Sequence, residues 1–319
     1  MTYFDDVTEL ENGIRGEALV IPTANPTGFF QAVSAPDSMP VAQIAARLFV
    51  PAGQGSRPAV IVVPGSLGVA PSHLAVARLL TDRGIAACVI DPFGMRDVVS
   101  TVSNQAQYSF AASAWDVLAT LRVLSSRIDI DPARIGAQGH SRGGSAVLSA
   151  ACMAHLVSDS PERLRGVYAA YPWSGLQFLR PDVGSTVVRS VVGDRDEWCS
   201  PQQVQSHMHA MRLCGGRATC RIFAGAHHGL DRDTPVELIE EAAVAPGAPT
   251  VYIREDGALL HPLAREADPD LSERDVMVYA MKSGHGRRGA RIGSEGDQAE
   301  RFHRDMVDFW ETLMLANAA

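Results

Sequence analysis

The stretch 134–149, RIGAQGHSRGGSAVLS, leaves a chain few ways to fold. The apolar run Ile135-Gly136-Ala137-Gln138 follows the turn signal Asp131-Pro132, and small and apolar residues from Gly144 onward continue as a helix. Between them lies Gly139-His140-Ser141-Arg142-Gly143, the G-x-S-x-G pattern of a nucleophile elbow. In such an elbow a strand ends, a strained turn exposes a serine, and a helix starts at once. Glycine is needed at 139 and 143 because strand and helix backbones come too close there for a Cβ.

The rest of the chain supplies strands and helices in alternation. Residues 41–50 read as a strand closed by Pro51 and Gly53, and Ala59-Val60-Ile61-Val62-Val63 is a continuous apolar run of the kind found in strands buried on both faces. A helix is expected over 73–83, a buried strand at 86–90, and a long amphipathic helix over 105–126, with Phe110, Ala114, Val117, Leu118, Leu121 and Leu124 on one face. After the elbow come strands at 166–170, 186–192 and 219–223, with a helix capped by Ser200 and opened by Pro201 before the last of them. This order predicts an α/β fold with a doubly wound, mostly parallel sheet and helices on both faces. Its ligands should bind at the carboxyl ends of the strands. Residues 1–40 are turn-rich and read as an N-terminal extension, with one strand at 17–21.

Composition bounds the function. With 319 residues, 46% of them hydrophobic, the chain can bury a large core, and we expect one domain over 1–319. Its formal net charge of −8 and the lack of a basic stripe argue against a nucleic-acid partner. No apolar run approaches the ~20 residues of a membrane span, and the start, Met1-Thr2-Tyr3-Phe4-Asp5-Asp6, lacks the basic and apolar parts of a secretory leader. A cytoplasmic protein without membrane contact is expected. Five cysteines without a C-x-x-C pair signal neither a disulfide framework nor a zinc site, although a Cys214–Cys220 bridge stays open. With no H-E-x-x-H and no P-loop, neither metal nor cofactor is expected.

A serine hydroxyl is a poor nucleophile until a base takes its proton. Two later strand ends offer the partners: Gly193-Asp194-Arg195-Asp196-Glu197-Trp198 carries acids, and Ala224-Gly225-Ala226-His227-His228-Gly229 carries imidazoles. The order serine, acid, histidine is that of α/β hydrolases. Spacing alone does not separate Asp194 from Asp196, or His227 from His228.

The passages DPFGMR, IDIDPARIGAQGHSRGG, GDRDEWCSP and FAGAHHG resemble the dienelactone-hydrolase-like branch of the α/β hydrolases, over roughly residues 40–230 and the closing helix. The resemblance implies the α/β-hydrolase fold and selects Ser141, Asp196 and His228 as catalytic residues. It implies an oxyanion hole from the backbone N–H groups of Arg142 and Ser66, with Leu67 as the alternative to Ser66. Two features depart from the family. The hydrolases that name it use a cysteine nucleophile and a glutamate in the loop corresponding to Pro64-Gly65-Ser66-Leu67-Gly68, whereas this chain has Ser141 and Gly65; it is similar to the esterase-type members. The second departure is an insertion, 231–296, before the closing helix at 297–315.

The insertion reads as a hairpin at 251–260 around Asp256-Gly257, a helix at 271–281, and a basic loop, Lys282 to Gly289. Gly284-x-Gly286-x-x-Gly289 matches a dinucleotide fingerprint only formally, because no helix follows it within a βαβ unit. The insertion is expected to act as a lid or as a homodimer contact. Leu67, Phe93, Tyr171, Trp173 and Trp198 are expected to line the substrate pocket. Arg96 is expected to pair with Asp91 or Asp116 rather than to bind substrate, and His140 to pack beneath the elbow. The expected activity is hydrolysis of small or medium carboxylic esters through an acyl-enzyme on Ser141. A lactonase, a peptidase or an acyltransferase could use the same triad, and a binding protein could use the same scaffold.

Overall fold

Buried apolar strands build an eight-stranded sheet in the computed structural model, which describes residues 8–157 and 162–315. Its strands are β1 (Gly16–Ala24), β2 (Val41–Phe49), β3 (Arg57–Val63), β4 (Ala86–Asp91), β5 (Ile130–His140), β6 (Gly166–Ala170), β8 (Val187–Gly193) and β9 (Arg217–Phe223). β7 (Leu176–Phe178) belongs to a separate small sheet. The order across the large sheet is β1-β2-β4-β3-β5-β6-β8-β9. β2 pairs antiparallel with β1 and β4, and every pair from β4 onward is parallel.

The continuous apolar run in β3 has a direct cause. Ala59, Ile61 and Val63 enter one core layer, with α3 (Phe110–Ser125) and α4 (Arg142–Met153), while Val60 and Val62 enter the other, with α2 (Pro71–Thr81) and α7 (Gln298–Met314). Because side chains alternate along a strand, a sheet covered on both faces needs apolar residues at every position. The N-terminal extension supplies the edge strand β1 and the short helix α1 (Phe29–Ser34), so the expected strand at 17–21 is the centre of a longer one. α5 (Pro201–Leu213) has Pro201 at its first position, and Ser200 Oγ accepts from the Gln203 N–H at 3.3 Å.

Two expectations need correction, and one alternative left open is decided. The long helix starts at Phe110, not 105, because Ser109 Oγ caps it by accepting from the Ala112 N–H at 2.9 Å; residues 105–108 are loop. The second part of the expected basic loop is strand β13 (Arg287–Ile292), paired antiparallel with β10 (Glu237–Val244). β10, ELIEEAAV, is acidic and β13, RRGARI, is basic, but the register sets charged residues opposite apolar ones, Glu237 opposite Ile292 and Arg291 opposite Leu238. The pair is held by its ladder and by a small apolar cluster of Ala242, Val244, Ala290 and Ile292 with Trp198. The Cys214–Cys220 bridge is not formed; all five cysteines are free.

β11 (Val251–Ile253) and β12 (Leu259–Leu260) form the expected hairpin, and β11 adds parallel to β7. α6 (Glu273–Lys282) has a reciprocal cap between Ser272 and Asp275. No helix among the described residues is long and apolar enough to cross a membrane.

Candidate active site

The elbow places its serine by backbone strain. Ser141 has φ 55° and ψ −115°, values a non-glycine residue rarely adopts, and its N–H is held by the Ala170 carbonyl at 2.9 Å. A Cβ at Gly139 would collide with the Gly143 carbonyl, and one at Gly143 with the Val63 carbonyl, so both glycines are required by close approach.

Three loops after three parallel strands meet here. His228 Nε2 lies 2.9 Å from Ser141 Oγ, and His228 Nδ1 lies 2.8 Å from Asp196 Oδ2. The other Asp196 oxygen accepts from the N–H groups of Trp198 and Cys199, at 2.8 and 2.9 Å, so the carboxylate is fully engaged. His228 and Asp196 are buried. Asp194 instead accepts from the Gly225 N–H at 2.7 Å and is exposed, and His227 hydrogen-bonds neither to Ser141 nor to Asp196. The imidazole of His228 is stacked on the Trp198 indole, 5.1 Å between centroids and 16° between planes, with Tyr171 edge-on at 4.6 Å.

Asp196, Cys199 and His228 bring an oxygen, a sulfur and a nitrogen within 4.8 Å of one another, a donor set that resembles a metal centre. The geometry favours the hydrogen-bonded reading. Both ring nitrogens of His228 and both oxygens of Asp196 already have partners. Burial, reinforced by the Asp196 charge, pushes the Cys199 thiol well above its ordinary pKa, away from the thiolate that a metal would need.

Behind the elbow lies a buried relay. The Trp310 indole N–H donates to Gln138 Oε1 at 2.8 Å, which orients the Gln138 amide so that its NH2 donates to His140 Nε2 at 3.1 Å. His140 therefore carries its proton on Nδ1 and donates it to the Tyr171 hydroxyl at 3.1 Å; that hydroxyl in turn donates to Asp231. Burial alone would raise the Asp231 carboxyl, but His140, Tyr171 and Arg232 outweigh it and hold the group well below the usual carboxylate range. Tyr171 has φ 39°, a second strained non-glycine residue beside Ser141.

Two spaces open on Ser141. The larger, about 650 Å³, has apolar walls from Phe110, Trp173, Trp198 and Val244 and from α6, including Met277, Ala280 and Met281. The exposed Arg274, Lys282 and Arg288 border it. The smaller recess, about 20 Å³, is lined by Leu67, Gly68, His73, Tyr171, Trp198 and His228 among others. Ser66, Ser141 and Trp198 border both, and Arg142 borders the larger.

The expected pocket residues divide accordingly: Trp173 lines the large cavity, Trp198 lines both spaces, and Leu67 and Tyr171 line the recess. Phe93 lines neither. It is buried in a satellite cluster with Tyr108 and Ala112, edge-on to Tyr108, because the turn after β4 tucks it inward. Arg96 pairs with Asp116 at 2.7 Å, both buried, while Asp91 accepts from the N–H groups of Phe93 and Gly94.

Sequence reasoning missed the loop before α3. The buried Arg142 guanidinium donates to the carbonyls of Gln105 and Tyr108, at 2.9 and 2.6 Å, and lies over the Phe110 and Tyr108 rings. Gln105 Oε1 accepts from Ser66 Oγ at 3.1 Å, tying the two oxyanion-hole candidates to one loop. Reading a helix from 105 hid this; Ser109 as an N-cap was the available signal.

The profile of the dienelactone hydrolase family matches residues 44–246. Among solved structures, m3DLH superposes with a TM-score of 0.60 at 15% identity, covering 94% of this chain and 99% of that one. A dienelactone hydrolase-like promiscuous phosphotriesterase from metagenomic libraries gives 0.56 at 15% identity, over 94% and 100%. Esterase Est22 gives 0.51 at 16% identity, over 68% and 75%. At these identities the likeness is one of fold. No curated protein matches the sequence significantly.

Proposed function

The chain belongs to the dienelactone hydrolase family, and from that premise we propose that it is a serine hydrolase that cleaves carboxylic esters through an acyl-enzyme on Ser141. The observation that carries this reading is the line Ser141 Oγ, His228, Asp196, with contacts of 2.9 and 2.8 Å. His228 takes the Ser141 proton as Oγ attacks the ester carbonyl, while Asp196 accepts from Nδ1–H and stabilises the imidazolium. The N–H of Arg142, at the first turn of α4 where helix donors lack intrahelical partners, and that of Ser66 bind the oxyanion. His228 then gives its proton to the leaving alkoxide. A water, deprotonated by the same imidazole, attacks the acyl-enzyme and releases the acid.

The test is a panel of methyl esters of straight-chain acids, followed by acid release, with the wild type, Ser141→Ala and His228→Ala. Turnover should be lost in both variants, and fluorophosphonate should label Ser141 in the wild type but not in His228→Ala. Unchanged hydrolysis in Ser141→Ala would remove Ser141 from the mechanism.

A further inference from the structure

We propose that the acyl half of the substrate is bulky and apolar and fills the cavity roofed by α6, whereas the alcohol half is small. This rests on the hydrolase reading above and follows from where His228 stands. In the tetrahedral intermediate the oxyanion points to its N–H donors, and the leaving oxygen must come within reach of His228 Nε2 to receive its proton. The acyl substituent takes the remaining direction. His228 lines the recess of about 20 Å³ and does not line the cavity of about 650 Å³. The recess admits a group no larger than a water or a methyl. The cavity is of a size that encloses a drug-sized ligand.

The recess also suits the water that cleaves the acyl-enzyme, because that water must give a proton to the same imidazole. His73 borders it and is 2% exposed. Its Nδ1 accepts from the Ala70 N–H at 3.0 Å, so the ring proton sits on Nε2, which has no hydrogen-bond partner among the described residues. Burial, with His140 close by, pushes the His73 pKa down to about 3, so the ring is a neutral donor. A buried N–H of this kind calls for a polar guest.

The selectivity belongs to a segment outside the matched family profile. Met277, Ala280 and Met281 lie beyond the family match at 44–246. Methionine walls adapt to ligand shape.

The experiment measures kcat/KM for two ester series by acid release: methyl esters from acetate to decanoate, and octanoate esters from methyl to hexyl. Each methylene buried in the cavity is worth up to about fourfold. The expected results are a rise of tenfold or more from methyl acetate to methyl octanoate and a fall of tenfold or more from methyl to hexyl octanoate. Ala280→Phe should cut the octanoate-to-acetate ratio at least tenfold, and Met277→Ala should move the preferred acyl group to a longer chain. Rates flat in acyl length but rising with alcohol length would overturn this assignment and leave the hydrolase reading standing. A chain that cleaves no member of either series would defeat both.

Discussion

Tyr171 stands edge-on to His228, 4.6 Å between ring centroids, while its hydroxyl is held by Asp231 on the far side. The ring that borders the base is thus fixed by a relay that runs through His140 and Gln138 to Trp310 of the closing helix. Tyr171→Phe keeps the ring and removes the hydroxyl, leaving an Asp231 oxygen short of a partner in the core while the His140 Nδ1–H keeps the other Asp231 oxygen at 3.1 Å. Stability to urea should fall by about 1–3 kcal/mol. Because the ring still supports His228, kcat should fall less than about tenfold.

Asp196→Asn should lower kcat by roughly 10³- to 10⁴-fold with little change in folding, because the amide cannot hold His228 in the working tautomer. Asp194→Asn should stay near wild type, since Asp194 meets only the Gly225 N–H at an exposed turn. Steady-state kinetics on a single methyl ester separates the two, and the reverse pattern would assign the acid to Asp194.

The Arg96–Asp116 pair is a fold element. Asp116 also accepts from Thr23 Oγ1 at 2.8 Å, which ties β1 to α3. Asp116→Ala leaves the Arg96 guanidinium buried without its counter-charge and should cost about 3–5 kcal/mol in a denaturant melt. Specific activity per folded molecule should stay within about twofold.

Glu273 docks the roof. Its carboxylate accepts from the N–H groups of Phe110 and Ala111 at the start of α3, and burial pushes its pKa up from 4.5 to about 7. The folded state therefore binds a proton more tightly than the unfolded one. The contribution is full below about pH 4.5 and is lost as pH rises through about 7. The stability of the wild type relative to Glu273→Gln should fall across that window in paired urea melts, and a flat difference would show that Glu273 does not titrate there.

The sequence made the inner sheet and the elbow legible because both rest on local steric rules. A strand covered on both faces must be apolar throughout, as in β3, and a serine at an elbow must have glycine at 139 and 143. Ser141 needed only its neighbours for recognition. Asp196 and His228 needed the resemblance as well, because two acids or two histidines on one loop differ only in where the turn aims them. The pair β10 and β13 was hidden because each strand is largely polar, and the few apolar residues that hold the pair, Ala242, Val244, Ala290 and Ile292, meet only once the ladder has formed. Phe93 went astray for a similar reason: a large aromatic after a strand end suits a pocket or a core equally, and the turn held by Asp91 decides. Glu273 looked like an ordinary acid in the first turn of a helix, and only the fold brings it to the start of another.

The parallel pairing of β11 with β7 ties the segment before α6 by backbone bonds to the stretch that follows β6, with the Val251 N–H on the Gly175 carbonyl and the Leu179 N–H on that of Ile253. A flap attached through side chains alone can swing on a hinge, but this one would first have to unzip backbone bonds. We expect reactant and product to pass through a portal at the border of α6, where the exposed Arg274 and Lys282 edge the cavity. Turnover should then respond to the width of that portal more than to any sweeping motion, and bulk added at its edge would act as a molecular sieve.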